Sequence, residues 1–138
     1  MNRLVWNNDM RTGNREIDYH HLKLFEVLSS LNLSIDKKKS KKAVGEALEK
    51  FVGILLHHFV AEEFLMITKN FPEYHNYREQ HESMLIRTAD LIQAYRDGDS
   101  DAKVELAIFL SEWATTHIFK EDQKFFSWLE TKTTFSGS

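Results

Sequence analysis

Residues 51–66 read FVGILLHHFVAEEFLM, a nearly unbroken apolar run interrupted by His58 and, four residues on, by Glu62. In a helix, positions i and i+4 lie about 40° apart in projection and one turn apart along the axis, so both polar tips can reach one point. Steps of three and four residues pick out Val44, Leu48, Phe51, Leu55, His58, Glu62 and Leu65, an apolar stripe with an imidazole and a carboxylate inside it. Burying a carboxylate without a partner costs several kcal/mol, so a buried Glu62 must be protonated, salt-bridged or bound to a metal. The other helices should hold that partner.

Working outward, Ile17, His21, Leu24, Leu28, Leu31 and Ile35 repeat at the spacing of an amphipathic helix, with one histidine in the stripe. The basic run at 37–42, KKKSKK, makes the turn, with Ser40 as N-cap of a second helix that reaches about Lys69. Pro72 blocks continuation and starts a third helix over about 73–96, whose stripe is Tyr77, His81, Met84, Thr88, Leu91 and Tyr95. Asp97, Gly98, Asp99 and Ser100 form a turn with a helix-stopping glycine and an N-cap serine. The last helix runs to about Glu130 through Leu106, Leu110, Trp113 and His117, and Asp122 follows His117 by five residues. On an ideal helix that step is about 140°, so the two side chains share a centre only by spreading around it.

The ends carry less pattern. Residues 1–15 read as an irregular N-terminal arm laid over the bundle by Trp6, and 133–138, TTFSGS, as a flexible tail. Four amphipathic helices with short connections predict an all-α fold, an antiparallel up-down-up-down four-helix bundle forming one domain over 1–138.

Composition narrows the chemistry. The 18 basic and 21 acidic residues give a net charge of −3 and no electrostatic footprint for nucleic acid. The chain has no cysteine, so disulfides, thiolate metal sites and a cysteine nucleophile are excluded and any metal is held by nitrogen and oxygen. No secretory leader and no apolar run of about 20 residues is visible, and the expectation is a cytoplasmic protein without a membrane partner.

In such a bundle His21, His58, Glu62, His81, His117 and Asp122 come to one end of the core, one histidine per helix at a common level. Four imidazoles and two carboxylates buried against one another without a metal would carry large repulsion and desolvation terms. This donor set suits iron, manganese or zinc, and two carboxylates shared among four histidines suit a bridged pair of metals better than a single ion.

The chain resembles the hemerythrins, specifically the single-domain bacterial ones. The resemblance rests on Trp6 through Gly13, on Ile17, Asp18, Tyr19, His20 and His21, on the run from His58 to Glu63, on Phe71 and Pro72, on His81, and on Trp113 through His117 and Ile118 to Asp122. It implies a cofactor of two iron ions joined by an oxo or hydroxo group. His21 and His58 would hold one iron and His81 and His117 belong to the other, with Glu62 and Asp122 bridging. It also implies reversible binding of O2 at the iron with fewer protein ligands; Phe25, Phe59, Trp113 and Met84 read first as core packing at helical spacing, and in this family such apolar residues, here Phe25, Phe59 and Trp113, also form the O2 pocket.

One position departs from the family, which carries a histidine four residues before the one at His81, where this chain has Tyr77. Three readings are open: Tyr77 binds as a phenolate, Tyr77 stays protonated and hydrogen-bonds nearby, or His75 substitutes from a distorted helix start. His20 and His57 point about 100° away from the metal face and read as structural or exposed. Phe125, Phe126 and Trp128 read as packing of the bundle end.

The leading functional expectation is a non-haem diiron protein that binds O2 for storage, delivery or sensing, with an unidentified protein partner left open. A second is a diiron enzyme reducing O2, peroxide or NO, with the altered ligand at Tyr77 shifting the redox chemistry. A third is a metal-free helical interaction or phosphotransfer module.

Overall fold

Four long helical rods pack as an antiparallel up-down-up-down bundle in the computed structural model, which describes residues 8–38 and 40–137. Helix α1 runs over Arg15–Asp36, α2 over Lys41–Thr68 and α3 over Tyr74–Arg96. The fourth rod is interrupted: α4 covers Ala102–Thr116, a π-helical turn covers His117–Asp122, and α5 covers Gln123–Gly137. A 3-10 turn at Asn8–Met10 precedes them, and no strand occurs among the described residues. Helix α1 packs on α2 and α4, and α3 packs on the same two from the other side.

Local chemistry sets the ends. Asn14 caps α1 by accepting a hydrogen bond from the Ile17 amide, and Ser40 caps α2 by accepting from the Ala43 amide. Helices α2 and α3 close with left-handed residues, Asn70 and Gly98. In each case the next amide reaches back five residues: Phe71 N–H to the Met66 carbonyl at 2.9 Å and Asp99 N–H to the Ala94 carbonyl at 3.1 Å. These are paired helix stops in which a positive φ is required, which is why glycine serves at 98. Pro72 belongs to the first of these stops rather than to the start of α3, which begins two residues later at Tyr74.

Other sequence boundaries shift as well. Ser100 is not the N-cap of α4; Asp101 holds that position, its amide donating to Asp99 Oδ1. The backbone is helical through Gly137, so the expected tail from Thr133 extends the fourth rod. Trp6, expected to pin the arm, lies outside the described residues. Helix α2 is, by length and composition, long and apolar enough to cross a membrane, which the sequence reading did not anticipate. Leu56, Val60, Phe64 and Ile67 are exposed along its outer side, while Val44, Leu48, Phe51, Leu55, His58, Phe59, Glu62 and Met66 are buried.

The core divides into two clusters. One is mainly aliphatic, with Phe51 and Phe59 among its members, and runs from Leu24 to Ile35 on α1 against Val44–Phe59 on α2, Met84, Leu91 and the α4 residues Leu106, Ala107, Leu110 and Ala114. The other closes the opposite end with Ile17, Met66, Phe71, Tyr77, Phe125 and Phe126, and Trp128 packs against it, as expected of bundle-end packing. His21, His58, Glu62, His81, His117 and Asp122 are buried as well.

Candidate metal centre

The register of α1 is fixed just before its first inward histidine. Asp18 accepts from the Thr12 amide at 2.7 Å and the Thr12 hydroxyl at 2.8 Å, folding the preceding loop onto the helix start. Gly13, at φ +90, supplies the left-handed step this fold-back needs. Gln123 donates to the Arg11 carbonyl at 3.0 Å, tying the same loop to the fourth rod. His21 is thereby held against Asp122.

Two carboxylates with no solvent exposure organise the site. Asp122 Oδ2 faces three imidazoles, His21 Nε2 at 2.5 Å, His117 Nε2 at 2.9 Å and His58 Nε2 at 3.4 Å. Glu62 divides its oxygens: Oε2 faces His58 Nε2 at 3.1 Å and His117 Nε2 at 3.6 Å, and Oε1 faces His81 Nε2 at 3.3 Å. One donor atom from each of His21, His58, Glu62, His117 and Asp122 lies within 4.8 Å of all the others. His81 joins this group through Glu62.

The fit of this arrangement to a metal is visible in its geometry. Both Glu62 oxygens and His81 Nε2 are buried, stand within ion-pair distance of partners, and take no hydrogen bond from them. Buried polar atoms are ordinarily hydrogen-bonded, and donors that crowd together without pairing are arranged as ligands are around a cation. The cluster could hold a metal.

The sequence reading had His117 and Asp122 spread around the centre because five residues span about 140° on an α-helix. The structure resolves this differently. His117–Asp122 is the π turn, whose hydrogen bonds run from i to i+5 and bring residues five apart onto one side. Their 2.9 Å contact follows.

Burial opposes charge on His58 and His117, but Glu62 and Asp122 outweigh it, raising His58 to about 9 and His117 to about 10. The two rings meet Nε2 to Nε2 at 3.1 Å, so only one of those nitrogens carries a proton at that contact and the other accepts. For Glu62, burial favours the neutral acid, and His117 and His58 reverse this, holding the carboxyl well below its usual range. Burial and Glu62 likewise push Asp122 up, and His117 and His21 pull it down further. For His21, burial prevails over Asp122 and the ring stays below its usual pKa.

Tyr77 is buried on α3, and its hydroxyl donates to the Glu121 carbonyl at 2.7 Å, inside the π turn. Burial first, then Glu121, push its pKa well above the usual phenol range. His75 is exposed in the first turn of a regular α3, against Tyr74, and does not take the place at 77.

Of the expected apolar pocket, Phe59 stacks on His81 with centroids 3.8 Å apart, Trp113 stacks on His117 at 4.6 Å, and the two aromatics meet edge to face at 5.5 Å. Phe25 is buried. A cavity of about 580 Å³ opens between α3 and α4 and reaches Met84, Trp113, His117 and Glu121.

Sequence reasoning missed two neighbours. Glu63 Oε2 lies 3.5 Å from His81 Nδ1, within ion-pair distance but without a hydrogen bond. Its adjacency to Glu62 was the available signal. His20, expected to be structural or exposed, is buried to 7% exposure with its ring 5.7 Å from that of His58, while His57 is exposed. Burial, then His58 and His57, hold the His20 pKa below its usual value.

An all-α bundle whose core end gathers histidines and carboxylates from all four rods belongs to the class of cation-binding helical bundles. Residues 12–129 match the Hemerythrin HHE cation binding domain. The chain is 31% identical over 122 residues to the Bacteriohemerythrin of Stenotrophomonas maltophilia and 30% identical over 122 residues to that of Pseudomonas aeruginosa, in each case over 88% of this chain and 78% of the relative. It is 25% identical over 120 residues to a Hemerythrin-like protein of Naegleria gruberi, covering 87% of this chain and 88% of the relative. The chain belongs to the hemerythrin family.

Proposed function

We propose that the protein is a soluble cytoplasmic diiron protein that binds O2 reversibly, with His21 and His58 holding one iron, His81 and His117 the other, and Glu62 and Asp122 bridging. The observation that carries this reading is the division of Glu62, one oxygen toward His58 and the other toward His81, beside an Asp122 oxygen shared by His21 and His117. When bound, the iron pair would supply the electrons that reduce O2 on binding and take them back on its release.

The rest is work for the chain's own side chains. Phe59 and Trp113 stack on His81 and His117 and line that half of the site with apolar surface. Glu63 stands 3.5 Å from His81 Nδ1 and adds negative charge beside that ring. Tyr77 stays protonated and serves the backbone of the π turn, so an iron on that side would be held by His81, His117 and the two carboxylates without a phenolate. The membrane-compatible composition of α2 is read as that of a core helix, because its His58 and Glu62 are buried against the other three rods.

The test is metal content per chain together with the visible spectrum of the oxidised and the reduced, oxygenated protein. Two irons per chain with oxo-bridge absorption, and an oxygenated form that releases O2 under vacuum, are expected. Turnover of O2 with release of product would replace the carrier with the redox-enzyme reading; metal-free protein would overturn both.

A further inference from the structure

A second group of ligand-type side chains faces solvent where α1 packs on α2. Glu16 and His20 stand one turn apart on α1, with His20 Nε2 3.9 Å from Glu16 Oε1. His57 reaches across from α2, its ring edge-on to His20 with centroids 4.9 Å apart. One donor atom from each of the three lies within 4.8 Å of the other two. Glu16 and His57 are exposed, whereas His20 is buried, and its Nδ1 has no hydrogen-bond partner.

We infer that Glu16, His20 and His57 form a second, outward-facing site for a divalent transition-metal cation, which passes ions inward to the buried cluster. Two imidazoles and one carboxylate are a donor set for Zn2+ or Fe2+, with water completing the coordination. Metal bonds of about 2.0–2.2 Å set donor atoms roughly 3–3.5 Å apart, so the two exposed side chains close by about an ångström onto a fixed His20. His20 is the connection between the two sites, its ring lying 4.9 Å from that of His57 and 5.7 Å from that of His58. An ion moving from water to a fully buried cluster must exchange its waters for protein ligands, and this group supplies the first exchange. The inward transfer rests on the metal-binding reading of the buried cluster; the outer site does not.

The experiment titrates Zn2+ into the metal-loaded protein against a chromophoric chelator. One further ion per chain is expected, with affinity lowered at least tenfold in His57→Ala and in Glu16→Gln while the buried metal content is unchanged; equal affinity in both variants overturns the site. Anaerobic Fe2+ is then mixed with metal-free protein, and His57→Ala should fill the buried cluster several-fold more slowly to the same final content. An unchanged filling rate overturns the transfer. Zn2+ held outside with no iron ever taken up inside supports the outer site and overturns both the transfer and the proposed diiron function.

Discussion

Tyr77 on α3 donates its hydroxyl to the backbone carbonyl of Glu121 at 2.7 Å, one residue before Asp122 and within the turn that carries His117. The phenol thus braces from α3 the irregular backbone that presents two candidate ligands. Tyr77→Phe keeps the ring in its apolar cluster and removes only the donor. The expected cost is about 1–2 kcal/mol, seen as a lower urea midpoint, with metal content retained. The oxidised protein should show no tyrosinate-to-iron band; a band that disappears in Tyr77→Phe would make the phenolate a ligand.

Glu62 has no exposure and lies against imidazoles from three helices. Glu62→Ala removes both oxygens and leaves the proton on the His58 and His117 pair opposed by burial with one carboxylate fewer. The expected result is loss of bound metal and destabilisation of about 3–5 kcal/mol relative to the loaded protein. Metal analysis and the melting temperature with and without added iron check this. Two irons and an unchanged melting temperature would remove Glu62 from the site.

The bundle, the four inward histidines and Glu62 were legible because a 3.6-residue period marks which side chains share a face, and each of them fell on a stripe that is buried. What stayed illegible depends on departures from that period. The placement of Asp122 under His117 needs a π turn, which the ideal-helix angle excludes, and the role of Tyr77 depends on a carbonyl in that turn. Pro72 was read as a helix start because proline suits the first turn, yet the backbone stop at Asn70 had already claimed it. His20 lies off its helix's stripe, and only the approach of α2 buries it.

Metal-free protein should be most stable in weak acid and lose stability toward alkaline pH. The proton on the His58 and His117 pair is held to about 9–10 in the folded state against 6.5 for an ordinary imidazole. Its contribution is full below pH 6.5 and is lost as pH rises through 9–10, at up to about 1.4 kcal/mol per unit for the one shared proton. Glu62 and Asp122, held below their usual range, contribute above about pH 4.5 and lose that contribution as pH falls through their lowered values. His21 works against stability below 6.5, since the folded state resists its protonation. Urea midpoints of the metal-free protein at pH 6.5, 8 and 10 should fall in that order. A flat profile would mean the pair carries no proton in the folded state.

The cavity between α3 and α4 opens onto His117 and Trp113, with Ser83 exposed on its wall, and under the proposed function it is the path for O2. Ser83→Trp places an indole in that opening without touching any candidate ligand. Stability should change by no more than about 0.5 kcal/mol, as for other surface substitutions, and metal content should be unchanged. Stopped-flow mixing of the reduced protein with O2 should show association slowed several-fold, with dissociation slowed in the same proportion because the barrier lies on the path and not at the site. Equal association rates in the two forms would show that O2 reaches the centre by another path, past Phe59 or through the α1 and α2 side.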